Sequence, residues 1–268
     1  MASLETGKKR ISFQPPREYR PADYWIPCGK CIGCKTDSRQ DWIVRLYHES
    51  TLHKNSALIT LTYDDEYLPP GNDLRYLDVQ KFLKRMRRDR NEEIRYYIAG
   101  EHGEKYGRAH WHMILFGVDY LEDALKQNKS FRSRNLEKLW GLGNTDIIPL
   151  SPASIFYVVG YTTKKAGQEG IFRQSRKPPI AKPWVEQNID YLIRQSQNDG
   201  MVGVGNRRYP IPSVYLEWFP KELEEVIERR QQAAAESGTH KLESRPSKNR
   251  EINHEARVGL FGGINKRL

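Results

Sequence analysis

The spacing of hydrophobic and polar positions changes period several times along the chain. Between Thr36 and Leu52, Trp42, Ile43, Leu46 and Tyr47 recur at helical spacing, with Thr36 placed as the cap. Leu58 to Tyr63 alternates and is rich in β-branched side chains, which puts Leu58, Thr60 and Thr62 on one face of a strand. Helical spacing returns in Val79, Phe82, Leu83 and Met86, with Asp78 as the expected cap. Ile94 to Ala99 and the stretch ending at Phe116 read as two strands folded back by a Gly-rich turn with Lys105 and Tyr106 at its tip. Leu136, Leu139 and Trp140 give Leu121 to Trp140 a helical reading, stopped by Gly141 and Gly143, and Thr145 to Pro149 is a further strand. Ser151 followed by Pro152 starts another helix. Helix, strand, helix, hairpin, helix, strand predicts an α+β fold on an antiparallel sheet.

The two ends differ from this middle. Residues 1–27 are Pro-rich, basic and aperiodic, so 1–54 divides into an extended arm, a Cys-rich turn and a helix, ahead of a core over 55–170. Pro178, Pro179 and Pro183 mark a loop, Gly203 to Tyr209 is a basic hairpin or a solvated turn, and Pro220 opens a charged helix reaching Glu236. These form an extension over 171–237 expected to pack on the core, and 238–268 is a basic tail with too few apolar residues to pack.

Composition narrows the function. At 268 residues and 38% hydrophobic content the chain supports one sizeable core with appendages. Lys and Arg outnumber Asp and Glu by 44 to 34, a net charge of +10, and there are fifteen tyrosines. Such a surface suits phosphate backbones and stacked bases. The basic positions Lys81, Lys84, Arg85, Arg87 and Arg88 surround an apolar helical stripe, either as a phosphate-binding face or as a solvated one; Lys165, Arg207 and Arg208 are further candidates. No apolar run reaches the ~20 residues of a membrane span, and Met1 to Pro27 lacks the apolar core of a signal peptide, so the expectation is a cytoplasmic protein with no membrane partner. Cys28, Cys31 and Cys34 fit a reducing compartment rather than a disulfide framework. They can place three thiolates on a structural zinc if His48 or a residue elsewhere supplies a fourth ligand; the other reading is a Gly-containing turn with free thiols.

Two elements carry chemistry. His110 and His112 point the same way from one strand, and neutral imidazoles beside a carboxylate make a divalent-metal site with open positions. Glu101 is the nearest acid; a bulge would exchange it for His102. Two solvated histidines on a surface strand are the plain alternative. Fifty residues on, Tyr157 and Tyr161 lie one helical turn apart, with Lys164 on or beside their face. The plain reading there is a helix covering a sheet with aromatic side chains. Taken together, the two suggest a phenol attacking a DNA phosphate activated by metal.

At this point the residues resemble a family. His110-Trp111-His112 fits the His-hydrophobic-His signature of HUH endonucleases, and Tyr161-Thr162-Thr163-Lys164 fits their Tyr-x-x-Lys helix, Tyr157 adding the second tyrosine of the two-tyrosine class. Cys28 to Cys34, Leu61 to Glu66, Gly100-Glu101 and the histidines are, in that order, similar to the replication initiators of gokushoviruses, small single-stranded DNA phages of the Microviridae. The resemblance covers about residues 25–215 and implies a ferredoxin-like or RRM-like antiparallel sheet flanked by helices, with N- and C-terminal extensions. It implies rolling-circle initiation in a bacterial host: nicking at the viral origin, a 5′-phosphotyrosine bond, and later religation. By the same resemblance His110, His112 and Glu101 hold Mg²⁺ or Mn²⁺, Tyr161 and Tyr157 are nucleophiles, and Lys164 assists them. The chain contains no Gly-x-x-x-x-Gly-Lys-Ser/Thr motor motif, so it would borrow a host helicase as well as the polymerase. Three other functions stay open: an HUH transposase or plasmid initiator, a non-catalytic zinc module binding single-stranded DNA, and a metal-dependent hydrolase forming no covalent adduct.

Overall fold

The sheet is assembled around β1 (Ser56–Thr62) and β3 (Ala109–Phe116), both nearly continuous in buried residues because each has side chains packed on both faces. In a computed structural model describing residues 32–91, 93–103, 107–161 and 171–236, a seven-stranded sheet runs β4-β5-β6-β1-β3-β2-β7. The remaining strands are β2 (Arg95–His102), β4 (Ala124–Gln127), β5 (Ser130–Ser133), β6 (Thr145–Pro149) and β7 (Ile171–Gln174), and every pairing is antiparallel. Within it, β1, helix α2 (Tyr76–Arg90), β2, β3, helix α3 (Arg134–Trp140) and β6 follow the ferredoxin-like order, the four strands lying β6-β1-β3-β2. The α+β expectation and the antiparallel sheet are therefore met.

Alternation gives the two faces different roles. Ile59, Leu61, Trp111, Met113, Leu115 and Ile147 face one way and join Val79, Phe82, Leu83 and Met86 of α2 and Leu136 and Trp140 of α3 in one buried cluster. Trp111 crosses the strand beside it at Gly100, where a Cβ would come within 2.5 Å of its ring. Gly143, at φ +144°, lies against the β1 backbone, and a Cβ there would meet the Thr62 carbonyl at 2.3 Å. His110 and His112 project from the other face, with Thr60, Thr62 and Glu101 beside them in register. Helix α1 (Ile32–Ser50) covers part of that face, its Trp42 ring 4.9 Å from Tyr97 and 6.3 Å from Phe172. Helix α4 (Pro152–Tyr161) lies across β2 and β3 on the same side.

Local structure departs from the sequence reading in several places. Helix α1 starts at Ile32, so Thr36 is a buried residue inside it and not its cap. Arg75 caps α2; Asp78 sits in the first turn, buried, accepting from Tyr63 and Arg75. Residues 121–133 are not helical: β4 and β5 form a hairpin with Asn128 at φ +53°, and α3 is only Arg134–Trp140, capped by Ser133, whose side chain accepts from Leu136 N–H. After α4, β7 adds an edge strand, and Pro183 lies in the first turn of α5 (Lys182–Gln187), not in a loop. Helix α6 (Ile189–Gln197) follows, then β8 (Met201–Val204) and β9 (Arg207–Pro210), which realise the hairpin reading of 203–209. Helix α7 (Ser213–Trp218) precedes α8 (Glu224–Glu236), so Pro220 lies in a turn rather than opening that helix. Arg39–Tyr215 form one compact unit; the other comprises Met1–Ser38 and Leu216–Leu268. The arm, Lys105, Tyr106 and the 238–268 tail lie outside the described residues.

Candidate metal centre

The register of β2 on β3 brings the triad together: Glu101 pairs with His110, and His112 stands two residues along on the same face. His110 Nε2 and His112 Nε2 are 3.1 Å apart, and Glu101 Oε1 is 3.1 Å from the first and 3.3 Å from the second. His112 is buried, while His110 and Glu101 are half-buried at the rim. Strand β2 stays regular through His102, whose ring faces the other way and bonds the Asn72 carbonyl at 2.8 Å. No bulge exchanges the two; Glu101 is the acid that meets the histidines.

Second contacts orient the rings. His110 Nδ1 lies 3.0 Å from the Arg108 carbonyl. That oxygen can only accept, so a neutral His110 carries its proton on Nδ1 and turns the Nε2 lone pair inward. His112 Nδ1 lies 3.1 Å from Thr60 Oγ1, on the strand directly opposite. With Nδ1 so engaged on each ring, two Nε2 atoms and a carboxylate oxygen converge on one point, which is repulsive unless a cation or a shared proton lies among them. Donors about 2.1–2.2 Å from one ion and at right angles to one another stand about 3.0–3.1 Å apart, so the triad fits one face of an octahedral divalent ion and leaves positions for ligand oxygens. Burial alone would push the Glu101 carboxyl up; hydrogen bonds and charge from His110 and His112 outweigh it and hold the group below its ordinary range.

Helix α4 delivers the tyrosines to this face. Ser151 and Ser154 bond each other's backbone N–H, 3.2 and 2.8 Å, a reciprocal cap that starts the helix where the sequence places it. Tyr157 is half-buried and its ring stands edge-on to His112 with centroids 5.4 Å apart. Tyr161 is the last residue of the helix, one turn beyond; its side chain, Lys164 and Lys165 lie outside what the structure describes.

Other candidate residues are scattered. Helix α2, with Lys81, Lys84, Arg85, Arg87 and Arg88, packs on the sheet face opposite the triad, so these residues are not brought to it. Arg85 also serves the fold, donating to the Leu139 and Trp140 carbonyls at 2.5 and 2.8 Å at the end of α3. Arg207 lies over the Phe156 ring of α4 at 5.5 Å, beside Tyr157, whereas Arg208 is held by Asp199 at 2.6 Å. Cys28 and Cys31 lie outside the described residues, and Cys34 is a half-buried free thiol in the first turn of α1. His48 is not its zinc partner. It lies about four turns along the same helix, stacked on Trp184 at 3.5 Å with Nδ1 bonded to Tyr215 Oη at 3.0 Å.

Two positioning groups escaped the sequence reading. Thr60 was legible only as a member of the right face; the signal for its contact is the β1–β3 register. Asn72 follows the Pro69-Pro70-Gly71 break and pins the hairpin end, its Oδ1 accepting from Ala109 N–H at 2.7 Å and its Nδ2 donating to the Gly107 carbonyl.

Comparison with known proteins bears on this site. A family model for replication-associated proteins of the ORF2 type matches residues 56–166. Replication-associated protein VP4 of Bdellovibrio phage phiMH2K is 30% identical over 223 residues, 75% of this chain and 69% of that protein. The chain belongs to the family of phage replication-associated proteins. Within that family it is also similar to Replication-associated protein ORF2 of Spiroplasma virus 4, at 33% identity over 78% of this chain and 74% of the relative. Replication-associated protein ORF4 of Chlamydia phage 1 is 35% identical, the match covering 76% of this chain and 55% of that protein. No solved structure matches the chain. The family match begins at β1 and runs past the end of α4, so it takes in the triad, Thr60, Asn72 and both tyrosines.

Proposed function

We propose that the protein is a rolling-circle replication initiator, a divalent-metal-dependent endonuclease and strand transferase acting on one DNA strand at a viral origin. The observation that carries this is the placing of Tyr157, on the helix that ends at Tyr161, against His112 of a converged Glu101, His110, His112 triad. Membership of a family whose phage members are named replication-associated proteins supports the initiator role over a transposase or plasmid initiator. A bound Mg²⁺ or Mn²⁺ would supply Lewis-acid polarisation of the scissile phosphate and neutralise charge developing on it.

The chain's own residues do the rest. Arg108 and Thr60 hold the imidazoles in the ligating orientation, and the α4 cap holds the tyrosines over the triad. Tyr161 Oη attacks phosphorus, forming a 5′-phosphotyrosine diester as the bond to the 3′-oxygen breaks; the phenol loses a proton and the 3′-oxygen gains one. One diester replaces another, so the 3′-hydroxyl can reverse the step and religate without external energy. Lys164, three residues beyond Tyr161, would offset charge on the phenolate or phosphate. The free 3′-end would serve a host polymerase, with a host helicase opening the duplex.

Incubation with labelled single-stranded origin DNA and Mn²⁺ should yield a denaturant-stable protein–DNA adduct that chelator prevents. Cleavage without adduct would leave a hydrolase, and binding without cleavage would leave a non-catalytic module.

A further inference from the structure

On the sheet face away from the triad, a groove of about 800 Å³ opens between α2 and the β2–β7 edge. Arg87, Arg173, Arg176 and Lys177, all exposed, bring four positive charges to it, and Tyr76 and Tyr96 also line it. Exposed Glu93 is its acidic lining residue. The guanidinium of Arg95, also a lining residue, is already committed to Glu49 and to the Pro178 and Pro179 carbonyls at 3.0 and 3.3 Å.

The cations are held ready rather than loose. Arg173 lies over the Tyr76 ring at 5.5 Å and Arg87 over the Tyr96 ring at 5.8 Å, and the two phenols meet at 3.4 Å. A smaller hollow of about 230 Å³ continues the groove along α2, sharing Tyr76, Gln80, Arg87 and Tyr96 and adding Lys81 and Lys84. The basic stripe of α2, which is not at the triad, thus forms one wall of a continuous trough.

We propose that this trough binds a run of single-stranded DNA at a site separate from the triad. Paired guanidinium and tyrosine groups match a phosphodiester backbone carrying unpaired bases, whose flat faces can stack on or beside the rings. A duplex keeps its bases inside and offers such a recess only phosphates. The proposal does not depend on the triad cutting DNA: a strand held behind the sheet serves any activity that must keep hold of one strand.

The test uses the full chain, a fluorescent mixed-sequence single-stranded oligonucleotide, and chelator throughout, so that cleavage plays no part. Replacing Arg87, Arg173, Arg176 and Lys177 together by Gln should weaken binding at least tenfold at 100 mM salt. Each cation that contacts phosphate should contribute about 0.7 to the slope of log affinity against log salt, so the slope should fall by about 2–3. His112→Ala should leave affinity and slope unchanged, which separates this site from the proposed nuclease. Photocrosslinking of 5-iodouracil DNA to the unaltered protein, with the adducts mapped, should mark Tyr76 or Tyr96 and needs no variant to fold. Unchanged affinity and slope in the Gln variant, crosslinks confined to the triad face, or equal capture of duplex would each overturn the proposal.

Discussion

At the level of single residues, the least conspicuous member of the site is Thr60. Its hydroxyl is 3.1 Å from His112 Nδ1, so it fixes the ring rather than meeting a ligand itself. Partners of this kind typically contribute 10–100-fold to metal affinity. Thr60→Val keeps the shape of the side chain and removes the bond. Mn²⁺ affinity, followed by calorimetry or spin resonance, should therefore fall at least tenfold, while His112→Ala should abolish both metal binding and nicking. Either change should leave most of the affinity for single-stranded DNA, which rests on Lys and Arg contacts to phosphate. Wild-type metal affinity in Thr60→Val would return Thr60 to ordinary strand packing; nicking by His112→Ala would remove the triad from the reaction.

At the level of elements, α4 converts a helical repeat into a chemical one. Tyr157 and Tyr161 stand one turn apart, about 6 Å, and Tyr157 already meets His112 edge-on. Rolling-circle replication needs one cleavage to start and another to release the unit-length strand, and the first nucleophile is occupied in between. Tyr161→Phe should therefore nick little or not at all, whereas Tyr157→Phe should nick but fail to release closed circles. The double Phe variant should bind DNA without forming an adduct. Complete, repeated cycles by Tyr157→Phe would make Tyr157 a packing residue. Much of this element level was legible from pattern, because β1, β2, β3, β6 and α4 are specified locally by alternation, a Gly-rich turn and a Ser-Pro start. The β4–β5 hairpin was not. Lys126 to Ser130 is polar, Leu125 is exposed, and the hairpin exists because β5 pairs with β6 at Phe131 and Ile147, a tertiary contact that leaves no period in the sequence. The placing of α2 on the far face was illegible for the same kind of reason: its apolar stripe says that it packs, and only the sheet's own alternation says on which side.

For the molecule as a whole, what holds the α1 layer on the triad's side of the sheet is polar as well as apolar, and this makes stability depend on pH. Buried His48, 3% exposed, stacks on Trp184 of α5 and bonds Tyr215 of α7, and burial pushes its pKa from 6.5 down to about 3. Neighbouring Glu49 accepts from Arg95 of β2, from His53 at 3.3 Å and from Ala181 N–H at 2.6 Å. Burial alone would raise its carboxyl, but those bonds and the Arg95 charge together hold it below the usual carboxylate range. Both groups have folded pKa values below their unfolded ones, so each contributes stability that is present at high pH and lost on acidification. The windows differ. His48 must take up a proton on unfolding as pH falls below 6.5, which should cost about 3 kcal/mol between pH 7 and pH 4. Glu49 adds its share only below about pH 4.5. Urea unfolding from pH 8 to pH 3.5 should show stability flat above pH 7, then falling in two stages. His48→Gln cannot titrate, so its stability should be flat through the upper stage and retain the lower one, whatever the substitution costs at neutral pH. A wild-type curve level between pH 7 and pH 5, or a His48→Gln curve parallel to it, would show that His48 is not buried neutral and that the layer is anchored by packing alone.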